Sequence, residues 1–292
     1  GTDDLFASTA TVDASAYLGN LKIDRTDGSV AGDLSFVGDP TAAHNIQGSD
    51  SMGDVVTIGS TTSYSGNLAH TVVGGNTSGS DTLNAYVTAG FASVGNVSEF
   101  EDINLHINPG QDVTVTTVGG FNDGELNNIN IKGGNELSTF KIGTNGIGAA
   151  TTETIDASTF GGNIDLLILE AAIDNQDVVI TGGAMTTDGI SVDITNSSTI
   201  KFNTPGVEKI RFMEATGTST VDLTKATDAT LVSYDSDQTL TLNNIAQSTV
   251  VQLGLDVTGD AQLGDASGVE AATTTLSYSS VGGDSDAVTI NL

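Results

Sequence analysis

The chain has no cysteine and no tryptophan, only 3 prolines, and 8 Lys and Arg residues against 37 Asp and Glu over 292 positions. Without cysteine it gains nothing from disulfides and has no thiolate to offer a metal. A formal charge of −29 with so few cations excludes the Lys and Arg clusters that nucleic-acid phosphates require, and it disfavours anionic membranes for the same reason. No apolar run approaches the roughly 20 residues that a membrane-spanning helix needs. Aromatic residues are 5% of the chain, which makes a stacking platform for sugar rings hard to build.

What remains is a foldable mixture. Hydrophobic residues make up 37%, with many Val, Ile and Thr, so the chain should order despite its charge. Self-repulsion among the carboxylates opposes compaction unless cations neutralise it, and a divalent metal is the simplest counterion. The opening residues Gly1-Thr2-Asp3-Asp4 are neither a start methionine nor a basic signal sequence, which predicts an internal fragment or a processed product.

Apolar and polar residues alternate in short segments: Ile103-Asn104-Leu105-His106-Ile107, Asp112-Val113-Thr114-Val115, Ile129-Asn130-Ile131, Ser191-Val192-Asp193-Ile194 and Thr239-Leu240-Thr241-Leu242. Period two with β-branched residues predicts strands with one buried face. Gly, Asn, Asp and Ser clusters break these segments about every ten residues and supply turn conformations. Little helix is expected; the best candidates, Ser98-Glu99-Phe100-Glu101 and Gly161 to Leu169, read equally as strand or turn. Pro40, Pro109 and Pro205 each stand beside a turn-like residue, Pro109-Gly110 being the clearest turn.

A phrase recurs: Thr11-Val12-Asp13-Ala14-Ser15, Thr154-Ile155-Asp156-Ala157-Ser158 and, more loosely, Thr220-Val221-Asp222-Leu223-Thr224. The first two lie 154 − 11 = 143 positions apart, which fits either two related lobes, 1–150 and 151–292, or irregular coils along one continuous stack over 1–292. The second is favoured. A further pair, Phe100-Glu101-Asp102-Ile103-Asn104-Leu105 and Val207-Glu208-Lys209-Ile210-Arg211-Phe212, is alike in kind but not in offset. The fold expected is all-β, an irregular elongated β-solenoid of parallel β-helix or β-roll type with calcium-binding turns, in which each strand buries its apolar face only when the next coil stacks on it.

Pieces of a calcium-binding nonapeptide, Gly-Gly-x-Gly-x-Asp-x-apolar-x, are scattered along the chain. Gly1-Thr2-Asp3-Asp4-Leu5 and Gly79-Ser80-Asp81-Thr82-Leu83 match its second half, while Gly48-Ser49-Asp50-Ser51-Met52-Gly53-Asp54 and Gly282-Gly283-Asp284-Ser285-Asp286 are degenerate variants. With the phrases Asp81-Thr82-Leu83-Asn84 and Phe100-Glu101-Asp102-Ile103, the chain resembles the β-solenoid portion of repeats-in-toxin surface-layer proteins and giant adhesins exported by type I secretion. That resemblance implies calcium-triggered folding outside the cell and assembly into a lattice or stalk.

The metal ligands expected are Asp3, Asp50, Asp54, Asp81, Asp284 and Asp286, set against the ordinary use of Asp in turns, where it accepts nearby backbone amides. His44, His70 and His106 never fall at the spacing of a zinc helix, and no Gly-x-Ser-x-Gly elbow is present, so a non-enzymatic role is expected. Asn76, Asn96 and Asn196 match the glycosylation pattern, as chance alone provides in an Asn- and Ser-rich chain. The functional expectation is a calcium-dependent structural component of a bacterial surface layer, extracellular and self-associating into a homo-oligomeric lattice, with a cell-surface polysaccharide as a second candidate partner. An adhesin or carbohydrate-binding module is the alternative, and a polysaccharide-degrading β-helix enzyme ranks below both.

Overall fold

A computed structural model describes residues 10–14, 22–24, 34–38, 45–48, 53–61, 64, 71–74, 80–88, 97–115, 126–148, 152–173, 178–194, 199–213, 218–235, 239–246, 248–253, 273–278 and 286–291. Its first strands are β1 (Ala10–Ala14), β2 (Lys22–Asp24), β3 (Leu34–Gly38), β4 (Asn45–Gln47), β5 (Val55–Ile58), β6 (Thr71–Val73), β7 (Thr82–Val87) and β8 (Val97–Ser98). There follow β9 (Asp102–Ile107), β10 (Asp112–Val115), β11 (Asn128–Gly133), β12 (Thr139–Ile147), β13 (Thr154–Phe160) and β14 (Asn163–Leu169), then a single helical turn, α1 (Glu170–Ile173). The remainder is β15 (Val179–Thr181), β16 (Gly189–Asp193), β17 (Thr199–Asn203), β18 (Lys209–Met213), β19 (Thr218–Lys225), β20 (Leu231–Asp235), β21 (Thr239–Ile245), β22 (Val250–Leu253), β23 (Thr273–Tyr278) and β24 (Asp286–Asn291).

These strands form a β-solenoid. Every odd-numbered strand from β1 to β23 lies in one 13-stranded sheet that β24 completes, while the even-numbered ones form a 4-stranded sheet from β2 to β8 and a 7-stranded sheet from β10 to β22. All neighbours pair in parallel except β23 and β24, which are antiparallel. The sheet passes without a break across residue 150, where β11 pairs with β13.

The alternation in sequence becomes an inner column of side chains. Val56, Leu83, Ile103, Ile129, Ile155 and Ile180 stand in register from β5 to β15, and the backbone register runs back through Phe36 on β3 to Val12 on β1. Ile142, Leu166, Ile190, Ile210 and Val232 do the same in the 7-stranded sheet. From Val56 onward the side chains of the first column, and all five of the second, are nearly free of solvent contact, and each contributes about 1.5–3 kcal/mol relative to exposure. The recurring phrase falls each time on a strand of the first sheet, with Val12 on β1, Ile155 on β13 and Val221 on β19, and both Ile155 and Val221 are buried.

Coil length is irregular, as the offset of the repeats suggested. Val55 pairs with Thr82 (82 − 55 = 27), Thr82 with Asp102 (102 − 82 = 20) and Asp102 with Asn128 (128 − 102 = 26), so the corners absorb the difference while the strands keep register. Gly161 to Leu169, one of the two helix candidates, is a bend followed by strand β14, and in the other Ser98 ends β8 while Glu99 to Glu101 form the corner before β9. Pro109-Gly110 and Pro205-Gly206 are turns, with positive φ of 75° and 70° at their glycines. Pro40 lies outside the described residues.

Candidate functional site

Two of the six aspartates expected to bind metal can be placed with their side chains. Asp54 and Asp81 stand immediately before β5 and β7, at the same corner of successive coils, and both are buried. Asp3, Asp50 and Asp284 lie outside the described residues; Asp286 opens β24, and its side chain is outside them too.

At this corner the acids interlock. The Asp54 amide donates to Asp81 Oδ1 at 2.5 Å, and the Asp81 amide donates in turn to Glu101 Oε2 at 2.6 Å. The strand ladder continues beside them, because Thr82 donates to the Asp54 carbonyl and Asp102 to the Asp81 carbonyl. A carboxylate of each coil thus takes the backbone N–H that the preceding coil leaves at its strand entry, which a buried amide requires. Glycine makes the approach possible: a Cβ on Gly74 would lie 1.8 Å from the Glu99 carbonyl oxygen and 2.9 Å from Asp81 Oδ2.

The same arrangement recurs in the other sheet, at residues that sequence reasoning missed. Asp188, buried before β16, accepts the Ile164 amide at 2.8 Å and the Gly183 amide at 2.7 Å, and its own amide donates to Glu208 Oε2 at 3.0 Å. Burial pushes the Asp188 carboxyl up from its ordinary range against the pull of those two amides. Glu208 is raised as well, first by burial and further by the charges of Asp188 and Asp228. The signal was available: Glu101 and Glu208 are the shared residue of the Phe100-Glu101 and Val207-Glu208 phrases, and Gly182 precedes Asp188 by the same six positions that separate Gly48 from Asp54.

Calcium takes six to eight oxygens, and carboxylates beside turn carbonyls are the right kind of donor. At the described corner one oxygen of Asp81 and one of Glu101 accept backbone amides. No three acidic or histidine side chains converge on a point that could hold an ion among the described residues. These acids act on the backbone.

The outward positions of β5 to β13 carry ladders. Asn104 Nδ2 donates to Asn84 Oδ1 at 3.1 Å, Asn84 Nδ2 to Thr57 Oγ1 at 3.4 Å, and Lys132 Nζ to Asn104 Oδ1 at 2.8 Å. One row across, Thr154 Oγ1 donates to Asn128 Oδ1 at 2.6 Å, and Asn128 Nδ2 to Asp102 Oδ1 at 2.7 Å. Rings meet on this face: Tyr86 and His106 stack with centroids 4.3 Å apart, and Tyr64 meets Tyr86 edge-on at 5.8 Å. Burial, with Lys132 beside it, holds His106 below the usual histidine range. The rings spend their faces on one another and so stabilise the stack of coils.

No family model matches the chain, and no curated protein and no solved structure matches it at a significant level.

Proposed function

We propose that this protein is a structural component of a bacterial cell-surface layer, an acidic β-solenoid that works as a spacer outside the cell and associates with further copies through carboxylate faces bridged by calcium. The observation that carries this reading is the interlocked corner of Asp54, Asp81 and Glu101, repeated by Asp188 and Glu208. Acids that cap the backbone from coil to coil make the fold depend on carboxylates, and the chain as a whole carries a formal charge of −29. Calcium then acts as a counterion and a bridge between copies, since two bodies of that charge repel each other in its absence.

Sedimentation velocity and electron microscopy in millimolar calcium test this. Large ordered assemblies that dissolve on chelation are the expected outcome. A species that stays monomeric across the calcium range removes the proposal.

A further inference from the structure

The outer face of the 7-stranded sheet holds a cleft of about 460 Å³ that crosses β12, β14, β16, β18 and β20. Five strands at a spacing of about 4.8 Å make it roughly 19 Å long. Three of the chain's 8 cations line it, Lys141, Lys209 and Arg211, in a molecule with 37 acids. Lys141 is paired with Asp165 at 2.6 Å. Lys209 and Arg211 sit two residues apart on the outward side of β18.

The floor of the cleft is a missing side chain. Asp165, Gly189 and Lys209 stand in register on adjacent strands, so the row drops at Gly189 between an acid and a base. The fold does not demand glycine there: a Cβ would meet only Lys209, at ordinary contact distances of 3.8 and 3.9 Å. Gly182, by contrast, would drive a Cβ to 1.7 Å from the Gly206 carbonyl oxygen. Backbone packing therefore explains Gly182 and leaves Gly189 for another purpose.

We propose that this cleft binds a carboxylate-bearing polysaccharide, with one uronate ring over Gly189 and its carboxylate toward Lys209 and Arg211. The Lys209 ammonium suits a carboxylate as a point charge, and the Arg211 guanidinium two residues along the strand adds to the positive field there. Leu167 and Leu231 offer apolar surface to the C–H face of a ring, and Ser191 offers a hydroxyl to its polar edge. The combination of apolar lining with a few placed polar groups, at this volume, is that of a ligand site. The length fits a linear chain of sugars better than a compact metabolite. Nucleic acid is a poor match, because three cations cannot offset a phosphate charge every 1.7 Å or so. A second copy brings the same −29 charge toward the cleft, whereas a short uronate stretch brings a few.

The inference does not rest on the scaffold reading, since binding is measured whether or not copies assemble. The probe is tetragalacturonate, with cellotetraose as its neutral counterpart, titrated by calorimetry at physiological salt with a melting curve for each variant. The expected result is saturable binding of the acidic sugar at least ten times tighter than the neutral one. Lys209→Gln should weaken it at least ten-fold, and Gly189→Leu should abolish it, both with near-native melting; Gly189→Ala should weaken it several-fold if the leucine variant fails to fold. Equal binding of the two sugars, no binding at millimolar ligand, or full binding by both the lysine and the glycine variants overturns the proposal. So does binding that requires calcium and strengthens in Lys209→Gln, which would mark a metal bridge to the acids. If the cleft variants abolish copy–copy association and no sugar binds, the occupant is a second copy and the glycan assignment is wrong.

Discussion

The outer faces of the two long sheets are built from the same period-two strands and are put to different uses. On the 13-stranded sheet, Thr57, Asn84 and Asn104 stand in register and hydrogen-bond from one coil to the next, as do Asp102, Asn128 and Thr154. On the 7-stranded sheet the corresponding row reads Lys141, Asp165, Gly189, Lys209, Leu231 and Val250, and Val250 is 58% exposed. Like residues in register satisfy one another and close the surface. A row of unlike residues with a gap leaves polar and apolar groups turned outward. Repetition, in a solenoid, belongs to stacking, and its interruption is where a partner has something to bind.

The largest expected effect separates two glycines that the sequence does not distinguish. Gly182→Ala forces a Cβ against the Gly206 carbonyl and should cost more than about 3 kcal/mol, whereas Gly189→Ala should stay within about 0.5 kcal/mol. Chemical denaturation of both variants checks this. Equal losses would mean that Gly189 is structural, and the contrast between the faces would lose its main support.

Next come the strand-entry acids, where the two sheets should behave alike. Asp188→Ala strands the buried amides of Ile164 and Gly183 and should cost about 2–3 kcal/mol, and Asp81→Ala strands that of Asp54 at about 2 kcal/mol. Asp188→Asn, which keeps one acceptor oxygen, should recover part of the loss. A loss confined to one sheet would show that the shared corner is not a shared device.

Smaller still is the ladder itself. Asn104→Ala removes the bond to Asn84 and the acceptor for Lys132, at about 1 kcal/mol, while Ser191→Ala on the cleft face should change stability by less than about 0.5 kcal/mol. Thermal melts of the pair suffice. A reversed order would place the stabilising network on the wrong sheet.

Much of this is legible in the sequence. Ile103, Leu105 and Ile107 announce one buried face, and in the recurring phrase Ile155 and Val221 are both buried in the first sheet. The partner of each acid was not legible. Asp81 meets the amide of Asp54, 27 residues earlier, and presents its own amide to Glu101, 20 residues later, so the match depends on coil lengths set by irregular corners. The stack of Tyr86 on His106 and the gap at Gly189 are likewise consequences of register, since neither residue has an informative neighbour in sequence. The number of aspartates and the glycine spacing point to metal ligands; that Asp81 also takes a backbone amide of the adjoining coil follows from register and has no local signal.

The acids of the two sheets should also part company on titration. Asp188 and Glu208, at the corner of the 7-stranded sheet, have carboxyls raised by burial, so the folded chain holds protons there that the unfolded chain has released. Between the ordinary carboxylate range and the raised values, their contribution to stability therefore grows as pH falls. Asp222, on the outer side of β19, runs the other way: burial raises it, but hydrogen bonds from Thr224 and Asn244 and the nearby Lys201 outweigh that and leave it lowered. Its contribution is present above the ordinary carboxylate value and is lost as pH falls through its depressed one. Melting temperature should accordingly rise on mild acidification from pH 7, pass a maximum, and fall at lower pH. Relief of general repulsion would also produce a rise, so the deciding comparison is Asp188→Asn, in which the rise should be shallower than in the parent while the low-pH fall is unchanged. Identical profiles for the two proteins would assign the whole effect to net charge and remove the corner acids from it.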